Sequence, residues 1–511
     1  MSNKVFSGVA GASFIIIIFS LISKGLGFVR EIVFANSFGL TKDFDIYLVG
    51  SVVPVILNTG ITYLGQNFFI PSYNKVKSEG EDGIRYFNNI FWLFAFSGVV
   101  IGLIFYFSAG LIVSVYLPST SSQTKIIAEK IFQIISLTIP LNAGIAIISA
   151  YFQAEFQFKT PAVSQLFVNV SIISLTFLFS KELNVMVIPI AFLIGIGLQI
   201  LYLFIKVKGI LKINYFIKIN IKEIFSFFSS SLSSIIIIEF LSQLYTLADR
   251  FFLKQVDSGG IAAINYAQNL FLLPVSIFSI ALSTAIFPQF AHKFHNKKED
   301  ELKVYIAEGL KMNSFISVPV TILFVFFGDL IVAAFYKGGK FSAADCVTTF
   351  NVLRIFSFSL LFYSAYAILN KVLYGINEIK FLLLLTAVGI FVKIILNFIL
   401  VKYFKQSGLA LSTAITYILF FTGSLLFIFI KTKFNFIYSF FKDTALSFLN
   451  GMISLFIIKL LFDGFNFSSY LIAIVALLCF LIIYTMNSML LKQNSVKLIF
   501  SSVKMLFLQT S

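Results

Sequence analysis

The chain has 511 residues and a formal net charge of +16, with 59% hydrophobic, 17% aromatic and only 12% charged residues. An ordinary globular domain carries about twice that share of charge, so the composition indicates an all-α, polytopic membrane protein. Its long continuous apolar runs exclude a β-barrel, whose strands alternate, and its lysines, scattered between those runs, exclude a nucleic-acid partner.

In chain order, the apolar segments fall at about 10–35, 44–71, 88–115, 127–152, 161–180, 184–206, 223–250, 260–290, 310–335, 346–373, 380–402, 407–430, 442–462 and 468–491. This predicts about fourteen transmembrane helices with short connections and no inserted soluble domain. The first run is too long for a cleavable signal peptide and continues into charged sequence. An even number of crossings puts both termini on one side. Lysines and arginines gather in the loops around Lys75, Lys77 and Arg85, around Lys206 to Lys222, around Lys293 to Lys303, and after Lys492. By the positive-inside rule these loops and both termini are cytoplasmic.

The first segment carries Lys24, Arg30 and Glu31 at membrane depth. Charges there cost a few kcal/mol by the lower estimates and so face a bundle interior or a wet cavity; a transporter is the expected class. Lys24 and Glu31 are seven apart and share a helical face with Gly27 and Phe28, and Gly25 and Gly27 could bend the helix to bring Arg30 round. The basic pair reads either as a site for an anionic substrate or as interface residues that snorkel and pair with neighbours. Asp45, opening the second segment, is the expected partner of Arg30 or Lys24. Glu239 in the seventh segment is a candidate for a coupling cation or proton, or a packing carboxyl. Asp249 and Arg250 at the end of that segment read as a structural charge pair. Arg354 and the deeper Lys393 add positive charge further on. Pro54, Pro140, Pro189 and Pro274 each interrupt a segment and are expected to bend it.

The sequence repeats weakly. The stretch from Pro71 to Asp82 resembles that from Pro288 to Asp300, Arg30-Glu31 corresponds to Asp249-Arg250, and Lys159 to Lys380, all 217 to 221 residues apart. Six segments separate the partners, so the halves are parallel repeats. The predicted organisation is an N-terminal lobe over 1–215, a C-terminal lobe over 216–435 related to it by pseudo-two-fold symmetry, and a helix pair over 436–511. Enzyme signals are poor. His292 and His295 sit in a lysine-rich loop, Cys346 and Cys479 are far apart, and no phosphate loop, nucleophile motif or metal-ligand cluster appears. No cofactor is expected, and the driving force would be an ion gradient, the membrane potential or the substrate's own downhill traffic.

Ser23-Lys-Gly-Leu-Gly-Phe-Val-Arg-Glu31, with Asp45 and Pro54 following, resembles the opening of the MurJ (MviN) lipid II flippases. Asp249-Arg250, Gly260 to Leu270 with Pro274 and Phe287-Pro288, Tyr336 to Asp345, and Gly408-Leu-Ala-Leu-Ser412 are similar to later segments of that family. The resemblance implies a two-lobed flippase in the bacterial cytoplasmic (inner) membrane that moves a polyprenyl-diphosphate-linked glycan of the lipid II type, with membrane lipids as its surroundings and a monomer as a plausible state. It implies a cationic central cavity holding Lys24 and Arg30, and a groove by the last two helices for the polyprenyl tail. It also implies arginines where this chain has Asn58 and Asn269. Lysine replaces charge but not bidentate phosphate geometry. Another polyprenyl-linked glycan, an O-antigen, capsule or exopolysaccharide unit, is therefore the alternative substrate.

Overall fold

The computed structural model describes residues 2–117, 121–211, 230–276, 299–433, 437–462, 470–491 and 496. Every regular element among them is helical, apart from an isolated bridge between Gly338 and Phe341. Pro288, His292, His295 and the lysines at 212, 218, 222, 293, 297, 298, 492, 497 and 504 lie outside the described residues. So does much of the segment expected at 260–290, of which a helix over 260–276 is described. Seven helical stretches among the described residues are long and apolar enough to cross a membrane, and a bent pair makes an eighth.

Two compact units divide the chain: Met1–Ala262 with Gly338–Phe341, and Ala263–Lys337 with Ser342–Ser511. The first unit opens with α1 (Ser2–Phe38), α2 (Lys42–Ser78) and α3 (Gly83–Tyr116). Thr41 caps α2 by accepting the amide of Phe44, and Asp82 caps α3 by accepting those of Ile84 and Arg85. α1 runs as one helix through Gly25 and Gly27. α2 likewise continues through Pro54 and Pro71. The segment expected at 127–152 is instead two helices, α4 (Ser122–Ser136) and α5 (Thr138–Ala154), meeting at Leu137. Pro140, in the first turn of α5, has no amide to give to α4, and the first turn is where a helix tolerates proline. α6 (Lys159–Leu183) and α7 (Val187–Val207) then form a hairpin, and α8 (Ser230–Arg250) closes the unit's helices. Its core is aromatic: Phe69, Tyr73, Phe87 and Tyr151 pack ring to ring between α2, α3 and α5. At the end of α2 the Glu155 carboxylate takes both the Tyr73 hydroxyl at 2.5 Å and the Lys77 ammonium at 2.7 Å.

The second unit contains most of the helix over 260–276 (α9), then α10 (Glu299–Tyr336), α11 (Ala343–Ser357) and α12 (Leu360–Gly375). α11 starts on a capping box between Ser342 and Asp345, and it meets α12 at 50°. α13 (Ile379–Thr432) carries a non-helical residue, Lys405, at φ 50° and ψ −129°. Around that break its arms fold back on each other, so that Gly389 meets Phe420, Gly423 meets Leu385 and Gly408 meets Leu400. α14 (Ile437–Leu461) and α15 (Tyr470–Leu490) complete the unit. They pack an apolar seam of Leu455, Ile458, Ala476 and Phe480 against Val318, Ile322 and Phe327 of α10.

The backbone itself reveals the repeat. The junction at Leu137 returns at Phe358, the left-handed residue Phe156 returns at Asn377, and Asn184 (φ 48°) returns at Lys405. Each pair is 221 residues apart. After α5, Gln157 donates to the Phe152 carbonyl and Phe156 to that of Gln153; after α12, Glu378 donates to Leu373 and Asn377 to Tyr374. Both are the same Schellman closure.

Candidate functional site

Arg30 lies on α1 with its guanidinium turned along the helix onto the next residue. Nε and Nη2 donate to Glu31 Oε1 at 3.2 and 2.8 Å, Nη1 approaches Asn169 Oδ1 of α6 at 3.5 Å, and the Phe34 ring lies 5.8 Å away. Adjacent helix residues normally diverge, and only the length of the arginine lets this pair meet. The Arg30 side chain keeps 33% of its exposure while that of Glu31 keeps 8%. The carboxylate therefore anchors one edge of the guanidinium, Asn169 lies at a longer distance from Nη1, and part of the side chain stays exposed. Lys24, nearly two turns earlier, is exposed. One accessible cation and one anchored cation on the same helix suit a diphosphate, whose charge spreads over several oxygens.

Asp45 does not pair with Arg30 or Lys24, contrary to expectation. Its Oδ2 accepts the Gly259 amide and its Oδ1 the Ala262 amide, both at 2.7 Å, and the side chain is buried. The reason is local. Asp45 sits in the first turn of α2 and meets the start of α9, where amides without intrahelical partners and the positive end of the helix dipole favour a carboxylate. Arg30 has Glu31 beside it already.

Asp249 and Arg250, the final residues of α8, are both buried. Arg250 Nε and Nη1 have no hydrogen-bond partner among the described residues. Glu239 is half-buried, and its Oε1 accepts from Gln243 Nε2 one turn on at 2.9 Å. Asn58 is buried in a three-residue bridge from α2 to α5: its Nδ2 donates to Thr138 Oγ1 at 2.8 Å, and its Oδ1 accepts from Asn142 at 2.9 Å.

In the second unit Asn269 is half-buried on α9, and Arg354 is exposed in the last turn of α11. Lys393 is only 1% exposed. Its ammonium donates to Thr413 Oγ1 at 2.9 Å, across the α13 hairpin, and one turn further Asn397 accepts from Ser412. The structure thus joins Arg30, Glu31 and Asn169 in the first unit and Lys393 and Thr413 in the second. Asn169, Thr138, Asn142, Thr413 and Ser412 were not among the expected site residues. The available signal was a polar residue inside an apolar run, and Asn397 four residues after Lys393 was the clearest instance.

The sequence profile of the family described as lipid II flippase MurJ matches residues 34–490. The chain belongs to that family. Among curated members, the "Probable lipid II flippase MurJ" of Buchnera aphidicola subsp. Schizaphis graminum is 27% identical over 417 residues, covering 78% of this chain and 79% of that one. The "Lipid II flippase MurJ" of Thermosipho africanus is 26% identical over 455 residues, covering 88% and 90%. Among solved structures, "Lipid II flippase MurJ, inward closed conformation" superposes with a TM-score of 0.75 at 24% identity, over 94% of this chain and all of that one. An inward-facing multidrug resistance MATE transporter of the MOP superfamily gives 0.64 at 14% identity, over 84% and 98%. These superpositions establish a shared fold. The MurJ profile match begins four residues after Arg30, so family membership does not rest on the basic face of α1.

Proposed function

We propose that this chain moves lipid II, a polyprenyl-diphosphate-linked glycan, from the inner to the outer leaflet of the bacterial cytoplasmic membrane by alternating access. The MurJ match across residues 34–490 carries the reading. Arg30 supplies a guanidinium edge to the diphosphate, oriented by Glu31 and Asn169, and Lys24 supplies a second, exposed charge. Arg354 and Asn269, exposed and half-buried, are the candidate contacts in the second unit. Asn58 and Lys393 are spent on internal hydrogen bonds and contribute through those bonds rather than by touching the substrate. No covalent bond is made or broken in such a cycle, so the chain is not an enzyme, and an ion gradient or the membrane potential drives it. The same reading gives lobes over 1–215 and 216–435, a helix pair over 436–511, both termini in the cytoplasm and a monomer as the working unit.

The test is rescue of cells depleted of their own lipid II flippase. Rescue is expected, with Arg30→Ala and Lys24→Ala abolishing it and Lys24→Arg retaining it. Failure to rescue, with loss of a surface polysaccharide on deletion in the native host, would assign the chain to another polyprenyl-linked glycan.

A further inference from the structure

In the first unit a buried cation lacks what a nearby buried anion has in excess. Arg250 is 5% exposed, and two of its guanidinium nitrogens, Nε and Nη1, meet no acceptor among the described residues. Leaving donors of a buried charge unpaired is strongly destabilising, and such groups are rare enough in native proteins that each demands a physical cause. Asp45, 1% exposed, lies close enough to interact electrostatically with Arg250, as does Asp249. Yet Asp45 places both oxygens on the Gly259 and Ala262 amides.

That arrangement depends on a tight seat. Gly259 adopts φ +81°, and a Cβ added there would come within 2.2 Å of the Leu40 carbonyl oxygen. The turn entering α9 therefore presses backbone to backbone on the corner between α1 and α2, and the carboxylate of Asp45 holds it there. If the corner leaves this seat, the Asp45 carboxylate loses both amides at once, and a buried carboxylate without donors is as unfavourable as the orphaned guanidinium.

We propose that Arg250 is the second seat of the Asp45 carboxylate, a positioning residue that takes it over when the α1–α2 corner separates from the first turn of α9. In the described state the amides hold Asp45 while Arg250 Nε and Nη1 meet no acceptor among the described residues; in the other, Arg250 holds Asp45 and the α9 amides are released. Each state leaves one set of donors unsatisfied, so the two lie close in energy, as a bistable element requires. The proposal rests on the reading of this chain as a transporter that changes conformation, and not on which glycan it carries.

The experiment follows a cysteine at Leu40, whose backbone the Gly259 turn covers. Leu40 is half-buried, so in membrane vesicles Leu40→Cys should be labelled slowly by a soluble maleimide and faster when the seat opens. Arg250→Met removes the second seat, and it is expected to slow labelling by about tenfold, corresponding to about 1.4 kcal/mol of shift, while transport is lost. Gly259→Ala forces the seat apart and should speed labelling by a similar factor with and without Arg250, because it destabilises the seated state while Arg250 stabilises the open one. Arg250→Gln, which keeps a donor, should fall between and serves if the methionine variant does not accumulate. Unchanged or faster labelling in both Arg250 variants would show that Arg250 merely braces the fold and would overturn the proposal. Because labelling needs no substrate, failure of lipid II rescue leaves this result interpretable.

Discussion

The α6–α7 hairpin of the first unit and the α13 hairpin of the second are one backbone plan executed with different interiors. Both follow a Schellman closure, at Phe156 and at Asn377, and both reverse at a left-handed residue, Asn184 or Lys405. Inside, the rungs differ. The first hairpin is bridged by Gln199 donating to Ser164 at 3.2 Å, and 221 residues on those positions are Phe420 and Leu385. The second is bridged by Lys393 and Thr413, whose counterparts are Ile172 and Phe192. A feature present in both copies is what the fold needs. A buried lysine present in one copy is not required to build the hairpin, which the first unit builds with isoleucine.

The sharpest way to break this comparison is to make the second interior apolar. Replacing a buried polar pair by apolar groups of similar volume is often neutral or stabilising, whereas removing one partner is not. The double variant Lys393→Met, Thr413→Val is therefore expected to fold with an unchanged or higher thermal midpoint and to lose transport by at least about tenfold. Rescue of flippase-depleted cells measures the second effect and thermal unfolding of the purified protein the first. Full rescue by the double variant would reduce Lys393 to one packing solution among several.

A smaller effect tests where the copies diverge at the turn. Gly408 would place a Cβ 2.4 Å from the Leu400 carbonyl oxygen, whereas the corresponding residue of the first hairpin is Val187, after a single 3-10 turn. Gly408→Ala should destabilise the protein by about 2 kcal/mol through overpacking against backbone, and Val187→Ala should cost less because that turn already accepts a branched side chain. Equal losses in denaturant unfolding would mean that the close approach at Gly408 carries no strain.

These contrasts also show which parts of the molecule are legible without coordinates. Long apolar runs fix the helices, because a membrane-spanning backbone has to satisfy its own hydrogen bonds. Even the weak repeat is visible through Lys159 and Lys380. The bends at Leu137 and Phe358 are not, since Phe358 has no proline near it and the hydropathy runs straight through. Nor are the charge partners. Asp45 takes amides 214 and 217 residues away, a choice made by packing and not by spacing. Asn58 reads as the place of a missing arginine, while its actual neighbours, Thr138 and Asn142, lie on another helix whose facing side only the structure reveals.

The conformational cost of the shared closure differs between copies. Phe156 and Asn377 both sit near φ 60°, a region that asparagine tolerates and phenylalanine does not. Phe156→Gly is expected to stabilise by up to about 1 kcal/mol and Asn377→Gly by a few tenths. Phe156 is exposed, so little packing is lost to offset the gain. Equal shifts in the two unfolding midpoints would argue that side-chain contacts, not backbone strain, decide these positions.

The smallest effect belongs to the carboxylates beside those closures. Glu155 is held by Lys77 and Tyr73, and Glu378 by Lys431. For Glu155, burial pushes the carboxyl upward, but the Lys77 and Tyr73 hydrogen bonds outweigh it and leave the group below the usual carboxylate range. A carboxyl more acidic in the folded state than in the unfolded chain contributes stability above its unfolded pKa, and that contribution fades as pH falls through the folded value. The side chain keeps 25% of its exposure and Lys77 keeps 55%, so solvent screening limits the effect to a few tenths of a kcal/mol. Glu155→Gln should therefore lower the unfolding midpoint slightly at neutral pH, and the difference from wild type should vanish once the pH drops below the ordinary carboxylate range. High salt should shrink it at any pH. A difference that persists unchanged into acid would assign the loss to the Tyr73 hydrogen bond alone, and the ionic half of this corner would then contribute nothing to the first unit.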